Sequence, residues 1–259
     1  MTIEMGNGSP ASIDKDYRSS HVSREAANRY EALYKTGTYE DWVWALEKAY
    51  LTGAVRKHVL SRRPEAKFLD FACGTGRILT FLEPMMAEVT GVDVSVAMLN
   101  LTRDRVSKAR LICADITKHE VLPAGGFDLI TAFRFFLNAD LSLRQEALKA
   151  IRRTLADDGI LIANIHGNRW SMHLIPFLVR RYFLRQGINA TSIHEMRRLL
   201  AGHGFEVIQV SGQAWCTRRV YELLGRHLCD RIEAIFSRVS ILSYLRVNLI
   251  LICRPVGCC

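Results

Sequence analysis

From Lys67 to the end of the chain, short apolar runs alternate with segments of helical periodicity. The runs are KFLDFA, EVTGVD, ARLICAD, FDLITAF, GILIANIH, FEVIQVSG and LRVNLILICRP, and amphipathic patterns such as LRQEALKAIRRTL stand between them. Strands that alternate with helices predict βαβ units and a mainly parallel sheet. Such a sheet carries helices on both faces and binds its ligand at the carboxyl ends of the strands.

The first predicted strand runs directly into a glycine-containing turn, residues 72–76, which opens a helix. A turn of this kind lets the backbone approach a ligand closely, and the helix N-terminus adds N–H donors. A dinucleotide fingerprint would need Gly or Ala at position 79, where this chain has Leu79. We expect the leucine to compromise close packing of helix against strand, which counts against a nicotinamide cofactor.

Two aspartates follow successive strands: Asp93 ends the second and Asp115 the third. A carboxylate at the first position can accept hydrogen bonds from both hydroxyls of a ribose. At the second position, beside Ile116, a carboxylate suits an adenine amino group. Either aspartate alone could simply cap a loop. Together, at successive strand ends, they are more specific for an adenosine-containing ligand.

With these segments the sequence resembles the class I S-adenosylmethionine-dependent methyltransferases over roughly residues 65–254. The similarity lies in the segments 68–76, 91–98, 114–116, 127–130 and 154–162. The family's first loop glycine is Ala72 here, and its usual Pro-Gly-Gly turn is Asp157-Asp158-Gly159. The resemblance implies a Rossmann-like α/β fold: a seven-stranded, mainly parallel sheet with helices on both faces, an antiparallel last strand, an N-terminal helical cap and helical insertions.

The resemblance also implies S-adenosylmethionine as cofactor and S-adenosylhomocysteine as its product. Asp70 and the loop would hold the methionine end, Asp93 the ribose, and Asp115 with Ile116 the adenine, while Phe133 would lie near the sulfur. The full implied set is Asp70, Ala72, Cys73, Gly74, Thr75, Gly76, Asp93, Val94, Met98, Asp115, Ile116 and Phe133.

Methyl transfer is an in-line displacement, so an enzyme must align the acceptor and, where needed, remove its proton. His166 titrates near neutrality and could be a general base for a hydroxyl acceptor, or it could only hydrogen-bond the loop or orient substrate. Arg134 could anchor an acidic group, or form a salt bridge to a lid helix. Further candidates for the acceptor pocket are Asn138, Asn164, Trp170, Tyr30 and Tyr34. The two tyrosines belong to the predicted helical cap, where aromatic residues at helical spacing are more often part of the core than of a pocket.

The tip of the fourth strand, residues 132–138, lacks the N/D-P-P-Y/F motif of methyltransferases that act on nucleic-acid bases or glutamine amides. Because the spaced acidic residues of a magnesium-dependent site are also missing, we predict no metal. We predict a small-molecule, glycan or lipid-precursor acceptor, with O-methylation favoured over N-methylation. The alternatives are a nucleotide-dependent oxidoreductase and a non-catalytic protein of the same fold that binds an anionic partner.

The formal net charge of +9 is concentrated in residues 166–259, which hold thirteen arginines and five acidic residues. This excess fits an anionic substrate, a peripheral membrane contact or a solvated basic face. Nucleic acid is not favoured because no recognition motif accompanies the charge.

Composition and patterning also predict how the chain is divided. We expect a flexible tail over 1–20, a helical cap over 21–64, a methyltransferase domain over 65–254 with acceptor-side insertions at about 166–191 and 214–242, and a tail over 255–259. Seven cysteines at irregular spacing indicate reduced thiols, and no apolar leader begins the sequence, so we expect a cytoplasmic protein. No sequence feature predicts the oligomeric state.

Overall fold

The structure is a computed structural model, and it describes residues 23–171, 191–236 and 240–257. The predicted tail 1–20, most of the predicted insertion after His166, and Cys258 with Cys259 lie outside the described residues. The described part begins with two helices, α1 (Arg24–Ala32) and α2 (Tyr39–Val55), and α2 continues through a wider turn, Arg56–Leu60.

Both helices begin at a side-chain cap. The Ser23 hydroxyl accepts a hydrogen bond from the Ala26 N–H, and Thr38 does the same for Asp41. Such caps satisfy N–H groups that have no partner within the helix. The two helices lie on either side of Gly37.

The rest of the described chain alternates strands and helices. Its elements are β1 (Lys67–Phe71), α3 (Arg77–Leu82), β2 (Glu88–Asp93), α4 (Val96–Arg103), β3 (Arg110–Cys113), β4 (Phe127–Ala132), α5 (Leu141–Thr154), β5 (Leu155–Ile165), α6 (Ile193–Ala201), β6 (Phe205–Gln213), α7 (Arg218–Phe236) and β7 (Asn248–Pro255). Short 3-10 helices follow α3 and α7, at Glu83–Met85 and Ser240–Leu245.

The seven strands form one sheet in the order β3-β2-β1-β4-β5-β7-β6. β1 to β5 are parallel, and β7 runs antiparallel to both β5 and β6. The predicted fold class is confirmed, including the antiparallel last strand. Strand order reverses between β1 and β4, which is where sheets of this kind open a crevice for a ligand.

The core lies on both faces of the sheet, as near-continuous apolar strands require. On one face, Leu51, Val55 and Val59 of α2 and its terminal turn belong to the same buried cluster as Phe68 of β1 and Ile250 of β7. Helix α2 is thus one of the helices that cover the sheet. The division of the chain into a cap and a domain remains a prediction.

The expectation that Leu79 would compromise helix packing is wrong. Leu79 is fully buried, and a Cβ added to Gly91 of β2 would lie 2.7 Å from Leu79 Cδ2. Because Gly91 of β2 has no side chain, it leaves space for Leu79 of α3. The helix and the strand therefore pack closely, with the glycine on the strand and not on the helix.

The fifth strand begins earlier than predicted. Leu155 pairs with Phe127 and Ile160 pairs with Leu129, so the intervening residues form a bulge in β5. Because Leu155 is buried, it holds the strand to β4 before the bulge.

Acidic side chains, some of them from α2, pair with several arginines of the last third. The ion pairs there are Arg169 with Glu195, Arg218 with Glu40, Arg226 with Asp41 and Asp230, Arg246 with Glu233, and Arg254 with Glu206. Part of the basic excess therefore has a structural use. Within the described ranges no helix is long and apolar enough to cross a membrane.

Candidate functional site

A cleft opens at the carboxyl ends of β1 to β4, with an empty volume of about 1040 Å³ that includes its mouth. Eleven of the twelve implied cofactor residues line it, and the twelfth, Gly76, begins α3 beside it. Tyr30, Arg134 and Asn138 line the same cleft. The topology therefore brings residues predicted from separate strand ends together in one place.

The loop between β1 and α3 has an unusual backbone. Ala72, Gly74 and Gly76 all have positive φ values, of 54°, 57° and 78°. A Cβ on Gly76 would lie 2.5 Å from Thr102 Cγ2 of α4, so only glycine fits there. The Thr102 hydroxyl also donates to the Gly74 carbonyl over 2.8 Å. Helix α4 thus holds the loop in this conformation at the wall of the cleft.

The Asp93 carboxylate is oriented by two backbone N–H groups. Gly74 N donates to its Oδ2 and Ser95 N donates to its Oδ1, each at a distance of 2.8 Å. The side chain is half-buried at the cleft wall. Because a carboxylate oxygen can accept more than one hydrogen bond, Asp93 can hold this geometry and still bind a hydroxyl pair.

Asp115 caps its own loop. Its Oδ1 accepts from the N–H of Thr117 over 3.0 Å and from the Thr117 hydroxyl over 2.5 Å. The alternative weighed from the sequence, a loop-capping aspartate, is thus present. It does not remove Asp115 from the cleft, which it lines beside the buried Ile116.

Asp70, at the end of β1, is buried and accepts a hydrogen bond of 2.6 Å from the Thr131 hydroxyl of β4. Burial raises the pKa of its carboxyl to about 7, although Thr131 and the charge of Arg77 act in the opposite direction. At neutral pH this group is therefore close to half ionised.

Arg134 follows β4 in a left-handed conformation, with φ of 60°. Two side chains hold its backbone. Its N–H donates to Asn164 Oδ1, and its carbonyl accepts from Asn138 Nδ2, each at a distance of 2.7 Å. Its guanidinium lies 3.7 Å from a carboxylate oxygen of Glu47 on α2. The ion pair is thus made with a helix that covers the sheet, and the proposed role of Arg134 in anchoring an acidic group remains a prediction.

Glu47 is the centre of a polar network that the sequence analysis missed. It is fully buried, and its carboxylate accepts hydrogen bonds from Arg77 Nη1 and from Asn248 Nδ2, each at a distance of 2.8 Å. Asn248 in turn accepts from Asn164 Nδ2 over 3.1 Å. The network joins α2, α3, β5 and β7 behind the loop that carries Arg134.

The sequence does hold a signal for Glu47. It lies four residues from both Val43 and Leu51, so an acidic side chain interrupts the buried stripe of α2. A buried carboxylate requires a cation or donors, which points to a partner elsewhere in the chain. The periodicity does not say which arginine that partner is.

Aromatic rings hold the Arg77 guanidinium. It lies 4.6 Å from the centre of the Tyr34 ring and 4.3 Å from that of Trp44. Tyr34 contacts Tyr30 at 5.5 Å between ring centres. Of the predicted acceptor residues, Tyr30 lines the cleft and Tyr34 supports Arg77, whereas Trp170 is 56% exposed and does not line the cleft.

His166 directly follows β5, close to this network, and is not among the cleft-lining residues. Its Nδ1 is buried and has no hydrogen-bond partner among the residues that the structure describes. Burial, with the nearby charges of Arg134 and Arg77, holds the pKa of the imidazole well below its usual value, so the ring is neutral at pH 7. Over the same residues, no group of three His, Cys, Asp or Glu side chains is arranged to hold a metal.

Comparisons with known proteins agree with this architecture. Residues 68–159 match the family described as "Methyltransferase domain". The chain is 30% identical over 148 residues to the dTDP-4-amino-2,3,4,6-tetradeoxy-D-glucose N,N-dimethyltransferase of Saccharopolyspora spinosa, covering 56% of this chain and 55% of that protein. It is also 30% identical over 139 residues to the trans-aconitate 2-methyltransferase of Paracidovorax citrulli. This match covers 50% of this chain and 52% of that protein.

The fold is shared more widely. The magnesium protoporphyrin IX methyltransferase of Synechocystis PCC 6803, solved with bound S-adenosylhomocysteine, superposes with a TM-score of 0.62 at 13% identity, over 93% of this chain and 97% of that one. The chain spans about half the length of the curated relatives it matches.

Proposed function

Residues 68–159 of this chain are a methyltransferase domain on the class I fold, and from this we propose that the protein transfers a methyl group from S-adenosylmethionine to a small-molecule acceptor. One observation carries the proposal. The Asp93 carboxylate, at the end of the second strand, is held by the N–H groups of Gly74 and Ser95 at the wall of the cleft. A carboxylate in this place suits the two hydroxyls of a ribose.

The residues of the cleft fit this cofactor. The left-handed loop 72–76 leaves room for the methionine end beside Asp70, and Asp115 with Ile116 offers a polar group and an apolar wall to an adenine. Val94, Met98 and Phe133 also line the cleft. S-adenosylmethionine, when bound, supplies an electrophilic methyl group on a sulfonium. The chain's own task is then to align the acceptor with that methyl group and exclude water.

The acceptor side favours a small molecule. Two relatives that match over about half their length carry names that specify small-molecule substrates. We propose O-methylation ahead of N-methylation, with His166 accepting the proton of a hydroxyl. A neutral imidazole is ready to accept a proton, which supports this role, and its position beside the cleft requires the acceptor to approach the end of β5.

Calorimetric titration with S-adenosylmethionine and S-adenosylhomocysteine tests the cofactor site. We expect micromolar binding of both, and at least tenfold weaker binding to Asp93→Ala, because charged hydrogen bonds are worth about 1.5–3 kcal/mol. Asp104→Ala is the matched control, since Asp104 is an exposed aspartate at the end of α4 outside the cleft. It should bind like the unaltered protein.

Titrations with NAD and NADP separate the alternatives. Binding of the dinucleotides alone would replace the methyltransferase proposal by an oxidoreductase. Binding of none of the four ligands would support a non-catalytic protein of the same fold. Binding of the methionine-derived ligands, followed by release of S-adenosylhomocysteine in a screen of acceptors, would establish turnover.

A further inference from the structure

Exposed apolar side chains gather around helix α7, away from the cleft. Half of the large apolar side chains that are exposed in the described ranges lie on α7, on the 3-10 helix that follows it, or at Trp170. Single exposed apolar side chains are ordinary on a protein surface, whereas a group of them indicates a site of interaction. We call the following six residues the α7 surface: Trp170, Leu223, Leu228, Ile235, Tyr244 and Leu245.

The segments that carry the α7 surface are bonded to one another. Asn168 Nδ2 donates to the carbonyls of Tyr244 and Arg246, at distances of 2.7 and 2.9 Å. Asn168 Oδ1 accepts from the Trp170 N–H at a distance of 3.2 Å. Glu233 of α7 pairs with Arg246, one residue beyond the 3-10 helix. The loop of Trp170, the 3-10 helix and the second half of α7 are therefore adjacent.

The second half of α7 has one buried and one exposed side. Cys229 and Glu233, four residues apart, are buried. Leu228, Arg231 and Ile235, three and four residues apart, are exposed. Because residues at these spacings lie on one side of a helix, α7 presents apolar and basic side chains together to the solvent.

Two arginines of α7 are available to an external anion. Arg218 and Arg226 pair with acidic side chains of α2, whereas Arg219 and Arg231 are exposed and form no ion pair with any residue that the structure describes. Over the same residues, Glu222 is the acidic side chain of α7 that stands outside an ion pair. The structural ion pairs therefore do not use up the basic groups of this helix.

This combination of side chains fits a lipid surface. Trp and Tyr rings are enriched at the boundary between membrane and water. Arginine is attracted to anionic headgroups, and an amphipathic helix with leucine or isoleucine on its apolar side lies in the plane of the membrane surface. No helix in the described ranges can cross a bilayer, so a contact made by this surface is peripheral.

We propose that the α7 surface, with Arg219 and Arg231, binds the surface of an anionic lipid bilayer. Leu223, Ile235 and Trp170 enter the boundary between headgroups and acyl chains, and the two arginines contact the headgroups. The inference concerns a surface outside the cofactor cleft, and it does not depend on the proposed function.

Sedimentation of the full chain with lipid vesicles tests the proposal. Vesicles of phosphatidylcholine alone are compared with vesicles that also contain phosphatidylglycerol, which is anionic. We expect at least tenfold stronger binding to the anionic vesicles, because each arginine near such a surface contributes about fivefold. The binding should weaken as sodium chloride is added, since salt screens this attraction.

A first double variant tests the apolar contacts. Leu223→Ser with Ile235→Ser changes two side chains of α7 that are 83% and 65% exposed, so the core keeps its packing. We expect at least tenfold weaker binding to the anionic vesicles, because both side chains lose their place in the bilayer. Val121→Ser with Leu141→Ser is the matched control, since both residues are exposed and lie outside the α7 surface. It should bind like the unaltered protein.

A second double variant tests the charges. Arg219→Gln with Arg231→Gln should weaken binding to the anionic vesicles at least tenfold. Arg103→Gln with Arg110→Gln changes the net charge equally at exposed positions of α4 and β3, and it should weaken binding less than about threefold. Circular dichroism and the urea midpoint establish that all four double variants are folded.

Trp170 reports the contact directly. Brominated phosphatidylcholine in the anionic vesicles quenches the fluorescence of a tryptophan that enters the bilayer. Trp170 is exposed, whereas Trp42 is buried and Trp44 and Trp215 are partly buried. We expect quenching in the unaltered protein and its loss in Trp170→Phe, which should still sediment with the vesicles.

Several outcomes would overturn the proposal. Equal binding to both kinds of vesicle, or binding that both α7 double variants retain, would assign the contact to another property or surface of the chain. Absence of binding to either kind of vesicle would reject the membrane contact. If light scattering then showed self-association that Leu223→Ser with Ile235→Ser abolishes, the occupant of the α7 surface would be a second copy of the chain.

Discussion

His166, which we propose as the proton acceptor, is buried close to two arginines. Burial and the charges of Arg134 and Arg77 hold the pKa of the imidazole well below its usual value. The neutral ring is the form that accepts a proton. Since the imidazole becomes protonated only well below its usual pH range, kcat/KM for the acceptor, measured at saturating S-adenosylmethionine, should stay constant as pH falls from 8 through 6.5 and decline at lower pH.

Substitution of His166 checks whether this proton transfer matters. We expect His166→Ala to lower kcat about 100-fold or more, the usual contribution of a general base, with S-adenosylhomocysteine affinity unchanged. In Arg134→Gln the acid limb of the pH profile should move to higher pH, because one of the charges that lower the imidazole pKa is gone. A His166→Ala enzyme within tenfold of the original would show that alignment alone suffices.

Asp70 gives a second prediction at this scale. Burial raises the pKa of its carboxyl to about 7, so at pH 6 it is mostly protonated before the cofactor binds. The ammonium of the methionine end favours the ionised form, so binding should release a proton at pH 6 and far less at pH 8. Calorimetry in two buffers of different ionisation enthalpy measures this release. Equal proton release at both pH values would contradict it, and Asp70→Asn should abolish it.

At the scale of elements, helix α3 and strand β2 depend on one glycine. A Cβ on Gly91 would lie 2.7 Å from Leu79 Cδ2 and 3.1 Å from Cys73 Sγ. We expect Gly91→Ala to lower the free energy of unfolding by about 1–3 kcal/mol through overpacking. Leu79→Ala alone should cost about 2–5 kcal/mol through its cavity.

The double variant is the sharper test of this contact. Gly91→Ala with Leu79→Ala should cost less than the sum of the two single changes in urea denaturation, since the new methyl group partly fills the space that the leucine leaves. Gly53→Ala is the control: nothing lies within 4 Å of its added Cβ in α2, so alanine should stabilise the protein by about 0.5–1 kcal/mol. Strict additivity would mean that the two side chains do not meet.

At the scale of the whole molecule, a buried ion pair ties α7 to the sheet edge. Arg246 and Glu233 have side chains only 5% and 9% exposed, and they pair directly. Arg246 also donates to the Gly212 carbonyl of β6, and Glu233 accepts from the Trp215 N–H. The pair therefore joins the segment before β7 to β6 and to the helix between them.

Replacing one partner of this ion pair should leave the charge of the other buried without compensation. We expect Arg246→Met to cost about 3–5 kcal/mol of unfolding free energy, and Arg246→Met with Glu233→Leu to recover part of that loss. Arg254→Met breaks an ion pair whose partners are 59% and 47% exposed, and it should cost under about 1 kcal/mol. Equal losses from Arg246→Met and Arg254→Met in urea denaturation would contradict a special role for the buried pair.

The order and type of the described elements, and the residues at the strand ends that form the cleft, were predictable from local sequence patterns. Apolar runs and helical periods are local properties, and the ends of parallel strands meet by topology, so Gly74, Asp93 and Asp115 could be placed together from their positions alone. The mistaken expectation about Leu79 came from a local rule, which asks for a small residue at that position of the helix. The rule does not take into account Gly91 on the neighbouring strand, which provides the space instead.

The surroundings of Arg134, by contrast, depend on how distant elements pack. Glu47 and Asn248 are 201 residues apart, and their hydrogen bond, like the contact of Arg77 with Tyr34, exists because α2 packs where β7 and α3 meet. No period or spacing encodes such a partner. The choice depends on which buried charges compensate each other once the helices are packed. The network around Glu47 is therefore a property of the folded molecule, whereas the site implied for the cofactor follows from strand order.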